Sequence, residues 1–161
     1  MSLIAKLLAS ENVLLDLDVN SKKRVFEQAG LLFENHQHIA RGKIFDSLFA
    51  REKLGSTALG KGVAIPHGRI KGLREAVGAL IRTREPIPFD APDSKPVNLI
   101  FVLLVPERAT DLHLQVLSEL AQMFSDKAFR DQLLACTSAN AAHQLINEWR
   151  THAENQRNAI V

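Results

Sequence analysis

The stretch PVNLIFVLLVP, residues 96–106, constrains the fold more than any other part of the chain. Between its two prolines the residues are nearly all apolar and several are β-branched. A strand with one wet face alternates apolar and polar side chains, whereas this run does not. It therefore reads as a central strand covered on both faces. Such a strand needs a layer on each side, and the chain supplies helical patterns before and after it.

SKKRVFEQAGLLFENH carries Val25, Phe26, Ala29, Leu32 and Phe33 at helical spacing, with Asn20 or Ser21 available as N-cap. KIFDSLFAREKLG repeats the pattern through Ile44, Phe45, Leu48 and Phe49 and stops at Gly55. GVAIP and EAVGALIRT are short runs broken by glycine and proline and read as strands. REPIPFDAPDSKP holds four prolines and reads as a loop. After the central strand, Val116, Leu117, Leu120, Ala121 and Phe124 lie on one helical face. AFRDQLLAC forms another short helix, and Ala142, Leu145, Ile146 and Trp149 form a last one at i, i+3, i+4, i+7 spacing. Helices on either side of a small sheet make an α/β sandwich. The tail 151–161 is polar and is expected to fray.

At 161 residues the chain fits one domain with a real core. Its formal charge of +2 comes from mixed signs, with no long basic run and few aromatics, which disfavours nucleic-acid binding. The single cysteine, Cys136, excludes an internal disulfide framework and suits a reducing compartment. No segment reaches the ~20 apolar residues needed to span a bilayer, and MSLIAKLLASEN lacks a signal-peptide core. A cytoplasmic protein without membrane insertion is expected.

The segment LGSTALGKGVAIPHGRI, residues 54–70, poses the functional question. Gly55 to Lys61 matches the opening of a phosphate-cradling P-loop. A working P-loop follows its lysine with a hydroxyl for magnesium and then a helix, but Gly62 and the strand-like VAIP come next. The match is accidental, and no nucleotide or other cofactor is expected. Gly55, Gly60, Gly62 and Gly68 permit positive φ or close approach. Pro66 should end the strand ladder and leave His67 just past a strand end. An ordinary turn histidine is the competing reading.

His113 precedes Val116 and Leu117 by three and four residues, in the first helical turn, with Thr110 or Asp111 as N-cap. The unpaired N–H groups there attract phosphate. Periodicity alone leaves open whether His113 serves a site or only hydrogen-bonds at a core edge. Arg51, ending the second helix, is either a solvated helix-end cation or a fork of donors for an anion. His36 and His38 look like loop residues, and His143 and His152 carry weaker signals. His67 and His113 are far apart with no third ligand, so no metal is expected. Ser118 sits mid-helix, and Cys136 needs no role beyond packing.

LGSTALGKGVAIPHGR, DSKPVNLIFVLLVP and HLQVLSELAQMF, in that order, resemble the enzyme IIA components of the mannitol/fructose type of the bacterial phosphotransferase system. The nitrogen-related branch, enzyme IIA-Ntr, is the most similar. The likeness covers roughly residues 3–150 and implies a single EIIA type-2 domain over 1–150. It further implies an α/β sandwich whose small mixed β-sheet is flanked by α-helices on both faces. The resemblance makes His67 the phosphoryl acceptor through Nε2, His113 a stabiliser of the phosphoryl group and Arg51 an anion stabiliser. No departure occurs at these positions.

A phosphocarrier of this kind takes its phosphoryl group from an HPr-like protein (NPr in the nitrogen branch). It would then act on regulatory partners such as potassium-transport or sensor-kinase components. The alternative is a IIA component of fructose/mannitol-type sugar uptake that passes phosphate to a IIB domain. A different class of function is a binding module on which phosphate is only a surface switch.

Overall fold

In a computed structural model the structure describes residues 3–108 and 111–149. A short helix α1 (Leu3–Leu7) and a 3-10 turn (Ser10–Asn12) lead into strand β1 (Val13–Leu17), then helices α2 (Lys22–Gln37) and α3 (Arg41–Glu52). Five strands follow: β2 (Ala58–Gly60), β3 (Val63–Ala64), β4 (His67–Ile70), β5 (Val77–Ile87) and β6 (Val97–Pro106). Helices α4 (Asp111–Ser125), α5 (Lys127–Ala135) and α6 (Ala139–Glu148) complete it. No helix among the described residues is long and apolar enough to cross a membrane.

The apolar run 97–105 is the interior strand, as expected. The six-stranded sheet has the order β1-β5-β6-β3-β2, with β4 also on β6. β6 runs antiparallel to β5 and parallel to β3 and β4, so the sheet is mixed. Asn98 and Leu99 both donate their backbone N–H to the Gly62 carbonyl at 3.0 Å, a two-against-one bulge. Beyond it the strand alternates. Leu99, Phe101, Leu103 and Val105 enter a core shared with α1, α4, α5 and α6. Ile100, Val102 and Leu104 enter a second core under α2 and α3. Continuous hydrophobicity thus reflects two cores served by one strand.

Local chemistry explains the helices. Ser21, one of the two N-cap candidates, accepts a hydrogen bond from the Arg24 N–H through its hydroxyl. Asp126 and Ser138 cap α5 and α6 in the same way. Arg82 is buried and donates to the carbonyls of Leu133, Leu134 and Cys136 at the end of α5. It thereby satisfies helix-end acceptors that have no partner in the helix itself.

One strand went unread and one expectation is corrected. VLLDL, unread in the sequence, forms β1 and pairs in parallel with β5 through Val13 and Leu80. The proline-rich loop begins later than Arg84, because β5 continues to Ile87, which pairs with Val97. Ile87 and Phe89 are both buried, and their burial draws the segment back onto the sheet. Pro86 falls in the irregular register between Arg82 and Ile87, where its missing N–H interrupts no regular pair.

Helix α3 presses directly on β4. A Cβ at Gly68 would collide with the Ser47 hydroxyl and stand 3.3 Å from the Ser47 backbone carbon. The same hydroxyl donates to the Arg69 carbonyl at 2.9 Å. Gly68→Ala is therefore expected to lower stability by about 1–3 kcal/mol through overpacking. Thermal denaturation checks this, and an unchanged midpoint would show that α3 can retreat without loss.

Candidate active site

The chain bends twice to present His67. After β3 the Ile65 N–H donates to the Thr57 carbonyl at 3.0 Å, and the Leu103 N–H donates to the Pro66 carbonyl at 2.9 Å. Pro66 was expected to end the ladder and leave His67 outside it. Instead the ladder resumes, because proline removes only a donor and its carbonyl still accepts. His67 is the first residue of β4 and pairs with Leu103.

The His67 ring is fixed by its own neighbourhood. Its Nδ1 lies 2.9 Å from the Ile65 carbonyl oxygen. A carbonyl has no proton to give, so Nδ1–H donates and Nε2 keeps the basic lone pair. The ring's pKa falls below the ordinary histidine value of 6.5. Burial is the largest cause, and the charges of Arg51 and His113 push the same way. The Ile65 bond and the Glu52 carboxylate oppose these without cancelling them. A neutral imidazole with Nε2 unprotonated is the nucleophilic form.

Arg51 stands in the last turn of α3 and donates from Nη1 to the Gly55 carbonyl at 2.8 Å. It shares a cleft of about 220 Å³ with His67, walled by Ser56, Thr57, Leu59 and Leu117. His113 is half-buried in the first turn of α4, close enough for its charge to act on His67, although it lines a neighbouring cavity. Asp111 is the first residue of that helix, whereas Thr110 lies outside the described residues. Leu117 and Ala121 continue the i+4 row from His113 along the cleft. Ala121, expected in the core, is exposed there, and Met123 takes the core place.

One part of the site left no trace in the sequence. Glu52 is buried and accepts from the Thr57 N–H at 3.1 Å and the Thr57 hydroxyl at 2.7 Å. The Lys22 ammonium lies 3.0 Å from the same carboxylate and sits over the Phe89 ring. This network ties α3 to the GST segment and so holds one wall of the cleft. The segment that matched a P-loop is a hairpin between β2 and β3. Its connecting residues Lys61 and Gly62 both have positive φ, as a tight primed turn requires.

The remaining candidates lie elsewhere. The apolar sequence neighbours of His67, Ile65 and Ile70, are both buried and present no docking surface. Among the described residues the exposed large apolar side chains are Leu54, Leu59, Leu112, Leu114 and Leu134. His36 belongs to α2 rather than a loop, with Nδ1 3.0 Å from the Asn12 side-chain oxygen. His143 Nε2 donates to the Leu8 carbonyl at 2.8 Å. His152 lies outside the described residues. No group of three or more potential metal ligands occurs among the described residues.

The mixed sheet with a helical layer on each face, and a histidine at the head of β4, define a class that comparison identifies. The chain belongs to the EIIA type-2 family of the phosphoenolpyruvate-dependent sugar phosphotransferase system, whose family model matches residues 6–149. Within that family it is similar to nitrogen regulatory proteins. The nitrogen regulatory protein of Pseudomonas aeruginosa is 41% identical over 144 residues, covering 89% of this chain and 94% of the relative. The crystal structure of nitrogen regulatory protein IIA-Ntr from Neisseria meningitidis matches with a TM-score of 0.85 and 56% identity. That match covers 90% of this chain and 99% of the other. IIA mannitol from Escherichia coli, at 21% identity and a TM-score of 0.73, shares the fold over 86% of this chain and 97% of its own.

Proposed function

We propose that this chain is a cytoplasmic regulatory phosphocarrier that accepts a phosphoryl group from an HPr-like donor (NPr) on Nε2 of His67. The observation that carries the reading is the bond between Nδ1–H of His67 and the Ile65 carbonyl. In the transfer, the donor's N–P bond breaks as the Nε2–P bond forms, and the donor nitrogen recovers its lone pair. Nδ1 keeps its proton, so the ring becomes a phosphoimidazolium. A protonated ring is the better leaving group, so the Ile65 carbonyl also keeps the phosphoryl group transferable. Arg51 offers the donors that do not reach Gly55 to the phosphoryl oxygens, and His113 supplies a further stabilising contact. Positioning and charge stabilisation do most of the work, with no nucleotide or metal in the scheme.

Residues 1–150 act as one EIIA domain with 151–161 as a polar tail, and the phosphorylation state tunes binding to regulatory partners such as potassium-transport or sensor-kinase components. The similarity to nitrogen regulatory proteins supports regulation over sugar uptake. Mass spectrometry with phosphoenolpyruvate, enzyme I and an HPr-type donor tests the first step: a single phosphoryl adduct is expected. Adding a IIB domain tests the second. An adduct that persists supports the regulatory reading, and rapid loss to IIB would favour a sugar-uptake component.

The pH dependence has a definite sign. Because the folded pKa of His67 lies below 6.5, the nucleophilic neutral form persists at 6.5 and is lost only as pH falls through that lower value. The unfolded chain binds the proton first, so stability also declines as pH drops from about 6.5 toward the folded pKa. The midpoint of the uptake rate against pH should lie below 6.5. A midpoint above 6.5 would contradict the geometry.

A further inference from the structure

A second cavity, of about 490 Å³, adjoins the candidate site at the start of α4. This is within the ~300–1,000 Å³ range of small-molecule sites. His113 stands where two rows of α4 meet. Leu117 and Ala121 extend its row along the His67 cleft, whereas Leu112 and Val116 form the adjoining row on the second cavity. The floor is apolar, made by Leu3, Leu7, Val105 and Val116. The rim carries Lys6, Arg74 and Arg108 against a single carboxylate, Glu75. Among the described residues these three exposed cations make no hydrogen bond or ion pair.

An apolar floor under a rim of uncommitted cations selects an amphipathic anion. We propose that this cavity binds a small organic anion with an apolar body, a medium-chain carboxylate in chemical class. Its chain covers Leu7, Val105 and Val116, and its head lies among Lys6, Arg74 and Arg108. A neutral apolar molecule would leave the cations unused. A bare inorganic anion would leave the floor wet.

The position of His113 gives occupancy a consequence, which rests on the phosphocarrier reading. An anion held beside His113 opposes a second anion on the neighbouring His67 ring. Ligand and phosphoryl group therefore weaken one another reciprocally.

The test titrates octanoate into the unphosphorylated full chain and follows backbone amide shifts by NMR. Saturable shifts are expected at Ala76, Val105, Leu112 and Val116. Octan-1-ol should bind at least about tenfold more weakly, as should octanoate to the combined Lys6→Gln, Arg74→Gln, Arg108→Gln variant, tenfold being ~1.4 kcal/mol. These side chains are exposed, so the variant should fold. Ala76→Phe, which narrows the cavity from its wall and keeps every cation, should weaken the shifts. Equal affinity for octanol, undiminished affinity in the combined variant, shifts elsewhere or no saturable shift would each overturn the site. With octanoate bound, the equilibrium constant for phosphoryl transfer from the donor should fall about fivefold, the lower end of ordinary coupling. An unchanged constant overturns the coupling and leaves the site. Failure of phosphorylation with octanoate binding intact overturns the phosphocarrier reading instead.

Discussion

His67→Ala is expected to give a folded protein that takes up no phosphoryl group from a phosphorylated HPr-type donor. The ring is half-buried at the head of β4, and its one hydrogen bond, to the Ile65 carbonyl, contributes about 1 kcal/mol. Removing it should therefore leave the fold nearly as stable. Nothing else lining the cleft replaces the nucleophile: the other polar walls are Arg51, Ser56 and Thr57, and both hydroxyls are engaged. His143→Ala is the control. That ring is held by the Leu8 carbonyl and by Asn147 and does not line the cleft, so its removal should preserve the adduct. A His67→Ala protein that still gains a single phosphoryl mass would place the acceptor elsewhere.

Glu52→Ala is expected to be the most destabilising substitution near the site. The Glu52 side chain is only 4% exposed and its partner Lys22 17%. Removing the carboxylate strands a largely buried ammonium and leaves the Thr57 N–H and hydroxyl without their acceptor. Breaking a buried pair from one side costs about 3–5 kcal/mol. For a chain of this size that is a fall of roughly 6–20 °C in the thermal midpoint. Replacing both partners, Lys22→Met with Glu52→Met, should be milder than either single change, because no charge is then stranded. Phosphoryl uptake in Glu52→Ala should slow as well, since the Ser56–Ala58 wall loses its anchor. A single-mutant loss below about 1 kcal/mol would show that Lys22 finds compensation, for example at Asp90, 3.2 Å away.

These two residues differ in how far the sequence points to them. The run 97–105 announced an interior strand because both faces of β6 are covered, and that left a mark at every position. Ser21 was legible as a cap because capping is local. Strand β1 was not: VLLDL is five residues long, follows a helix-like run and pairs with a strand more than sixty residues away. Ile87 and Phe89 hid among prolines, and only burial against the sheet reveals them. His67, His113 and Arg51 were singled out through the resemblance of their surrounding motifs, and the structure brings Arg51 and His67 into one cleft with His113 within electrostatic reach. Lys22 and Glu52 are thirty residues apart on different helices, and no spacing rule joins them.

The account depends on which nitrogen of His67 holds the proton. Long-range 1H–15N NMR of the labelled imidazole, recorded above pH 6.5 before and after phosphoryl uptake, reads this directly. The expected result is a protonated Nδ1 and a bare Nε2 in the free protein, then 15N–31P coupling at Nε2. A proton on Nε2 in the free protein, or phosphorus on Nδ1, would contradict it.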